Sequence, residues 1–263
     1  MTGREIFPDE ELRRRIMDLI MAAGQTLLEN GAEVFRVEQT MEIMARSFHL
    51  REFHVYVLTN GIFASAGTAE ISEVRNVPTR TTHLGRVAAV NALSREIAQG
   101  NMTLDEAESR LVMARRIPFP KPRVQLASGM CGAFCFAMMF GGTLRSALAA
   151  ALAGFLASGY LLLGERHQLP GGFCKISCAA LITLVCILGC HLLGTPASHA
   201  IIGSLMILTP GIAFTMGLRD FVQGDYLSGT IRMIDALLIA ASIAIGTGLV
   251  LSFYAFLTGV VVA

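Results

Sequence analysis

The sequence predicts a membrane protein: an N-terminal cytoplasmic α+β domain followed by an all-α bundle of five transmembrane helices. Three observations carry this reading. Charge is split unevenly, with 16 Lys/Arg and 16 Asp/Glu in residues 1–123 against 5 and 4 in residues 124–263. The second stretch holds uncharged runs at 124–144, 146–164, 176–218 and 236–263, and about 18 apolar residues suffice for a membrane helix. The first stretch alternates amphipathic helical periods with short strand-like segments. The whole-chain figures, 53% hydrophobic and 16% charged over 263 residues, average over two unlike parts. Together these features exclude a purely soluble enzyme, a secreted disulfide scaffold and a disordered tail. A formal net charge of +1 gives no electrostatic reason to expect nucleic acid.

Within residues 1–123, Asp9 after Pro8 reads as the N-cap of a helix whose apolar face carries Leu12, Ile16, Leu19, Ala23 and Leu27. Asn30-Gly31 is its stop signal. Val34, Val37, Met41, Met44 and Phe48 then form the buried stripe of a second helix. Strands are expected at 53–58 and 62–66, joined by Asn60-Gly61, with a third within 70–77 ending at Pro78. Helices follow at about 83–99 and 103–116, the second opened by the capping box Thr103-Leu-Asp-Glu106. A domain of this length can bury its own core. The charged opening segment has no apolar core of the kind a cleaved signal peptide needs.

Residues 124–263 supply the five spans, at roughly 124–142, 145–164, 173–193, 198–218 and 234–261. The run 176–218 is long enough for two of them, and Gly194-Thr-Pro196 divides it. With the N-terminal domain inside, Arg115, Arg116, Lys121, Arg123, Arg166, Lys175, Arg219 and Arg232 fall on the cytoplasmic side, and only Arg145 falls outside. The positive-inside bias therefore predicts a cytoplasmic N-terminus and an external C-terminus. Small residues recur every four positions at Ala150, Gly154 and Ser158, and again at Ala240, Ala244, Gly248 and Ser252. Such stripes let helices approach closely in lipid.

The six cysteines fall in three i,i+4 pairs: Cys131/Cys135, Cys174/Cys178 and Cys186/Cys190. No acidic residue lies among them, so they read as small packing residues and no metal or cofactor is expected. His49, His54 and His83 are scattered singly and read as ordinary surface or strand residues. No HExxH, GxSxG, Walker A or dinucleotide-binding glycine pattern occurs, and no enzyme is predicted. Lys175, near the start of the third span, is expected to snorkel to the interface.

The segment with most functional promise is Leu208-Thr-Pro210-Gly211 and the charges after it. Pro-Gly inside a span frees backbone groups and interrupts the helix, a device by which transporters meet polar substrates. Five of the nine charged residues of the membrane half, Arg219, Asp220, Asp225, Arg232 and Asp235, follow within 235. The arginines suit a carboxylate, and the aspartates suit pairing with them or proton coupling. A proline kink beside an ordinary charged loop accounts for the same residues without a site. In the soluble half, Glu33 and Arg36 (i,i+3) and Glu42 and Arg46 (i,i+4) can lace an exposed helix face.

The ordered pattern Gly31-Ala-Glu33-x-x-Arg36-Val-Glu38-x-x-Met41, Arg86 with Asn91 and Ser94, Phe140-Gly-Gly142, Pro210-Gly211 and Arg219-Asp220-x3-Gly224-Asp225-x3-Gly229-x-x-Arg232 resembles the threonine/serine exporter family. The resemblance implies a bacterial inner-membrane exporter driven by an ion gradient. Fused members carry about ten spans and this chain carries five, so it resembles the large subunit of the split form. That likeness implies a small multi-span partner subunit and succinate as the substrate, with threonine/serine export as the alternative. It also implies that Pro210, Gly211, Asp220 and Asp225 lie at the translocation path, and that Glu33, Arg36 and Glu38 form a functional element of the soluble domain. A membrane-anchored enzyme and a regulatory subunit are the readings from other classes; oligomerisation is open.

Overall fold

The computed structural model describes residues 8–67, 71–77, 81–100 and 102–259. Two compact units emerge. One comprises residues 1–119 with 216–231, the other 120–215 with 232–263.

The first unit opens with helix α1 (Pro8–Glu29) and helix α2 (Val34–Ser47). Ile16, Leu19, Ala23 and Leu27 are buried as the periodicity predicts, whereas Leu12 is exposed, one turn before the core begins. Met17, Ile20, Met21 and Leu28 widen the buried face of α1, and Val37, Met41 and Met44 of α2 complete it. Gly31, at φ +88°, makes the turn between the two helices, a conformation that costs glycine little. Strands β1 (His54–Leu58), β2 (Gly61–Ala66) and β3 (Ile71–Asn76) form an antiparallel meander in sequence order. Leu58 pairs with Gly61, so Thr59-Asn60 is the connection, and Gly61 opens β2 instead of sitting in the turn. Neither Asn60 nor Gly61 has positive φ, and the Val77 N–H donates to the Asn60 carbonyl at 2.8 Å. The third strand's pairing thus reaches up to the turn. The Pro78 terminator lies outside the described residues.

Helix α3 (Leu84–Ala98) and helix α4 (Leu104–Arg115) close the sequence-local part of this unit. The capping box is formed: Thr103 Oγ1 accepts the Glu106 N–H, and Glu106 accepts the Thr103 N–H at 3.0 Å. His83, expected at the surface, is buried. Its Nδ1 accepts the Arg86 N–H at 3.2 Å, capping α3, and its ring meets Phe119 edge-on. Arg86 donates to the Ile117 carbonyl at 2.9 Å and lies over the Phe119 ring. These contacts anchor the segment leaving α4.

The second unit is built from helices α5 (Pro122–Met139), α6 (Leu144–Arg166), α7 (Gly171–Leu193) and α8 (Ser198–Leu205), with parts of α9 (Gly211–Val222) and α10 (Tyr226–Thr258). Three of these, α6, α7 and α10, are long and apolar enough to cross a membrane. Among the described residues, three of the five expected spans thus qualify by length and composition. Helix α5 has 18 residues and spends its first turn on Pro122, Arg123 and Gln125. The fourth expected span, 198–218, is not continuous: it breaks between Leu205 and Gly211. At 1.5 Å per residue the pieces are about 12 and 18 Å long, each short of a hydrocarbon core of about 30 Å.

The two small-residue stripes have different fates. Ala150, Gly154 and Ser158 are buried, and a Cβ on Gly154 would meet the Gly129 carbonyl of α5 and stand 2.6 Å from Ala133 Cβ. Nothing lies within 4 Å of a Cβ built on Gly248, and Ala240 and Ala244 are exposed. Helix α10 instead meets α7 through Thr247, bonded to Thr183 at 3.2 Å, and Gly246 beside Ala179. Cys174, Cys178, Cys186 and Cys190 line the buried face of α7, while Cys131 and Cys135 are exposed on α5. The i,i+4 pairs on α7 thus serve close helix packing. Among the described residues no group of three metal-ligating side chains is gathered.

Candidate functional site

The opening turn of α2 supplies the first half of the site. Glu33 occupies the N-cap position with extended backbone, φ −71° and ψ 139°, but makes no capping bond to its own helix. Its carboxylate is used elsewhere. Oε2 accepts from Arg36 Nε at 3.1 Å, and Oε1 accepts from Arg219 Nη1 at 2.6 Å. Both guanidinium groups lie over the ring of Phe35, with centroid distances of 5.4 Å for Arg36 and 5.1 Å for Arg219. Ring quadrupole and carboxylate therefore act on the same two cations. The Glu33 side chain is 14% exposed against 55% for Arg36 and 45% for Arg219, so water reaches the cations more readily than the anion between them.

One turn further on, Glu38 accepts the Val57 N–H of β1 at 2.9 Å, joining α2 to the sheet. Burial raises its pKa above the ordinary glutamate value. The Val57 N–H pulls it down, and nearby Asp225 and Glu42 push it up again.

The second half of the site is the turn from α9 to α10, and its glycine and aspartate positions have direct physical reasons. Helix α9 ends in a motif in which the Asp225 N–H donates to the Asp220 carbonyl at 3.0 Å, with Gly224 at φ +87°. Asp225 then caps α10, its Oδ1 accepting the Ser228 N–H at 3.1 Å. A Cβ on Gly229 would stand 3.1 Å from the Gly217 carbonyl and 3.0 Å from the Phe221 ring. The pattern Arg219-Asp220-x3-Gly224-Asp225-x3-Gly229 is thus a tight helical hairpin that presents Arg219 to Glu33. The Asp220 side chain is buried.

Glu33, Arg36, Glu38, Arg219, Asp220 and Asp225, read from the sequence as two separate groups, all belong to the first compact unit. Arg232 and Asp235 belong to the second unit, Arg232 buried and Asp235 exposed on α10. Pro210 ends the break and Gly211 opens α9, where Phe214 N–H donates to the Pro210 carbonyl at 2.9 Å and restarts the helix. Sequence reasoning missed Phe35. The available signal was an aromatic residue in the opening turn of α2, flanked by the motif positions Glu33 and Arg36. A separate cavity of about 310 Å³ in the first unit, lined by Arg13, His49 and Arg51 among others, contains none of these residues.

Three helices of spanning length and apolar composition define a membrane protein in class. The family described as "Putative threonine/serine exporter" matches residues 18–254, and the chain belongs to that family. The "Probable threonine/serine exporter" of Mycobacterium tuberculosis (strain ATCC 25618 / H37Rv) is 26% identical over 243 residues, covering 90% of this chain and 46% of the relative. The chain thus spans about half the length of the curated relative it matches. No solved structure matches.

Proposed function

We propose that this chain forms part of the export path for L-threonine and L-serine in a bacterial inner membrane. The observation that carries the reading is the Arg219–Glu33–Arg36 cluster on Phe35. It offers cationic and anionic groups side by side, on a hairpin that follows a proline-broken helix. Both comparisons carry the amino acids in their names. Threonine and serine therefore stand ahead of succinate, which the resemblance to the split form had put first.

In this proposal the first unit, including the second half of α9 and the α9–α10 turn, lies in the cytoplasm, and α8 with the start of α9 forms one interrupted crossing, so that the chain crosses five times with its C-terminus outside. The Lys/Arg distribution supports that orientation. Pro210 and Gly211 expose backbone groups to the path, while Asp220 and Asp225 hold the hairpin at its cytoplasmic mouth. A second set of spans completes the transporter, because transport sites commonly lie between two repeats; alignment to 46% of a relative is consistent with that. A small membrane subunit is the proposed source.

The test is efflux of L-threonine and of succinate from preloaded cells lacking their own exporters. The cells express this chain alone, then with a small five-span partner from the same genome. Threonine efflux in either arm, lost in Pro210→Leu, is the expected result. Succinate efflux without threonine efflux would refute the amino-acid reading.

A further inference from the structure

Resting on the export reading, we propose that Glu33 and Arg219 are the two poles of a binding site for zwitterionic α-amino acids, closed here by their own ion pair. Glu33 holds Arg219 through one carboxylate oxygen and Arg36 through the other, at 2.6 and 3.1 Å. Two guanidinium groups and one carboxylate leave the cluster with a charge of +1 (two cations, one anion), and each guanidinium carries more N–H donors than the single contact to Glu33 uses. Both guanidinium groups also lie over the Phe35 ring, an attraction that consumes no donors.

An incoming amino acid exchanges one ion pair for three. Its carboxylate takes guanidinium donors of Arg219 and Arg36, and its ammonium takes the carboxylate that Arg219 releases. Every charged group keeps a partner. A dicarboxylate brings no cation, so Glu33 would lose Arg219 and face a second anion. Glu33 is therefore the specificity-determining residue, selecting for an ammonium and against a second carboxylate.

The test measures binding of L-threonine, its desamino analogue 3-hydroxybutanoate and succinate to the purified full-length chain in lipid nanodiscs. The wild type should prefer L-threonine. Glu33→Gln should weaken L-threonine by about tenfold or more, the ordinary loss of a charge-assisted bond, while 3-hydroxybutanoate and succinate bind no more weakly than before. Glu33→Asp, which keeps the charge, should retain the preference and guards against simple misfolding. Arg219→Gln should weaken all three ligands. If Glu33→Gln leaves the ratio of L-threonine to 3-hydroxybutanoate unchanged in a chain that still exports threonine, the site is refuted and the export reading stands. If the wild type neither binds nor exports threonine, the export reading fails and this inference falls with it.

Discussion

The packing of Gly154 against α5 permits a test in which sterics and helix propensity are separated. In Gly154→Ala the added Cβ would meet the Gly129 carbonyl and stand 2.6 Å from Ala133 Cβ. Ordinary carbon contacts begin near 3.5 Å, so α5 and α6 must part by roughly an ångström. Overpacking of this kind costs about 1–3 kcal/mol, while replacing glycine by alanine in a helix returns up to about 1 kcal/mol. Gly248→Ala receives the same propensity gain with nothing within 4 Å to strike. The difference between the two variants isolates the contact at about 1–3 kcal/mol, or roughly 2–12 °C in Tm for a chain of this size. The chain has no tryptophan, but Cys174, Cys178, Cys186 and Cys190 are buried. A thiol-reactive fluorophore therefore reports unfolding of the purified protein, with Cys131 and Cys135 giving the initial signal. Equal melting temperatures for the two variants, or a lower one for Gly248→Ala, would refute the assignment of Gly154 to a tight helix contact.

Three further outcomes are expected. Asp225→Ala removes the α10 cap on Ser228 and should cost about 1 kcal/mol; it should also reduce threonine efflux, and unchanged efflux would separate the cap from transport. Glu38 binds its proton more tightly in the folded chain than in the unfolded one, because burial and Asp225 oppose its ionised form. Its contribution therefore makes stability fall as pH rises from about 4.3, the unfolded value, through the raised folded value. Glu38→Gln should flatten that fall in a Tm-against-pH series, and parallel wild-type and variant curves would contradict the reasoning. Thr103→Ala breaks the capping box of α4 and should lower Tm by about 2–4 °C without affecting ligand preference, read in the same unfolding and binding assays.

Local physics made most of the elements legible. The stripes on α1 and α2, the Thr103–Glu106 box and the stop at Asn30-Gly31 follow from period and capping, which act within a few residues. The hairpin turn shifted by one residue because β3 extends its pairing to Asn60, a partner that lies beyond the Asn-Gly signal. His83 looked superficial because nothing local announces Phe119 and Pro118, against which it is buried. Hydropathy assigned one span to residues 198–218, and only the observed break from Leu205 to Gly211 divides it.

The sequence by itself determined the split between a charged and an apolar half, the order and type of nearly every element, and the charged residues of the candidate site. Only the tertiary structure decided that Glu33 and Arg219, 186 positions apart, share an ion pair. It also decided that one of two identical-looking small-residue stripes is a packing surface and the other is open. The reason is that periodicity and propensity encode which face a residue occupies. They do not encode which distant face it meets, and charge pairing and close helix approach depend on that second choice.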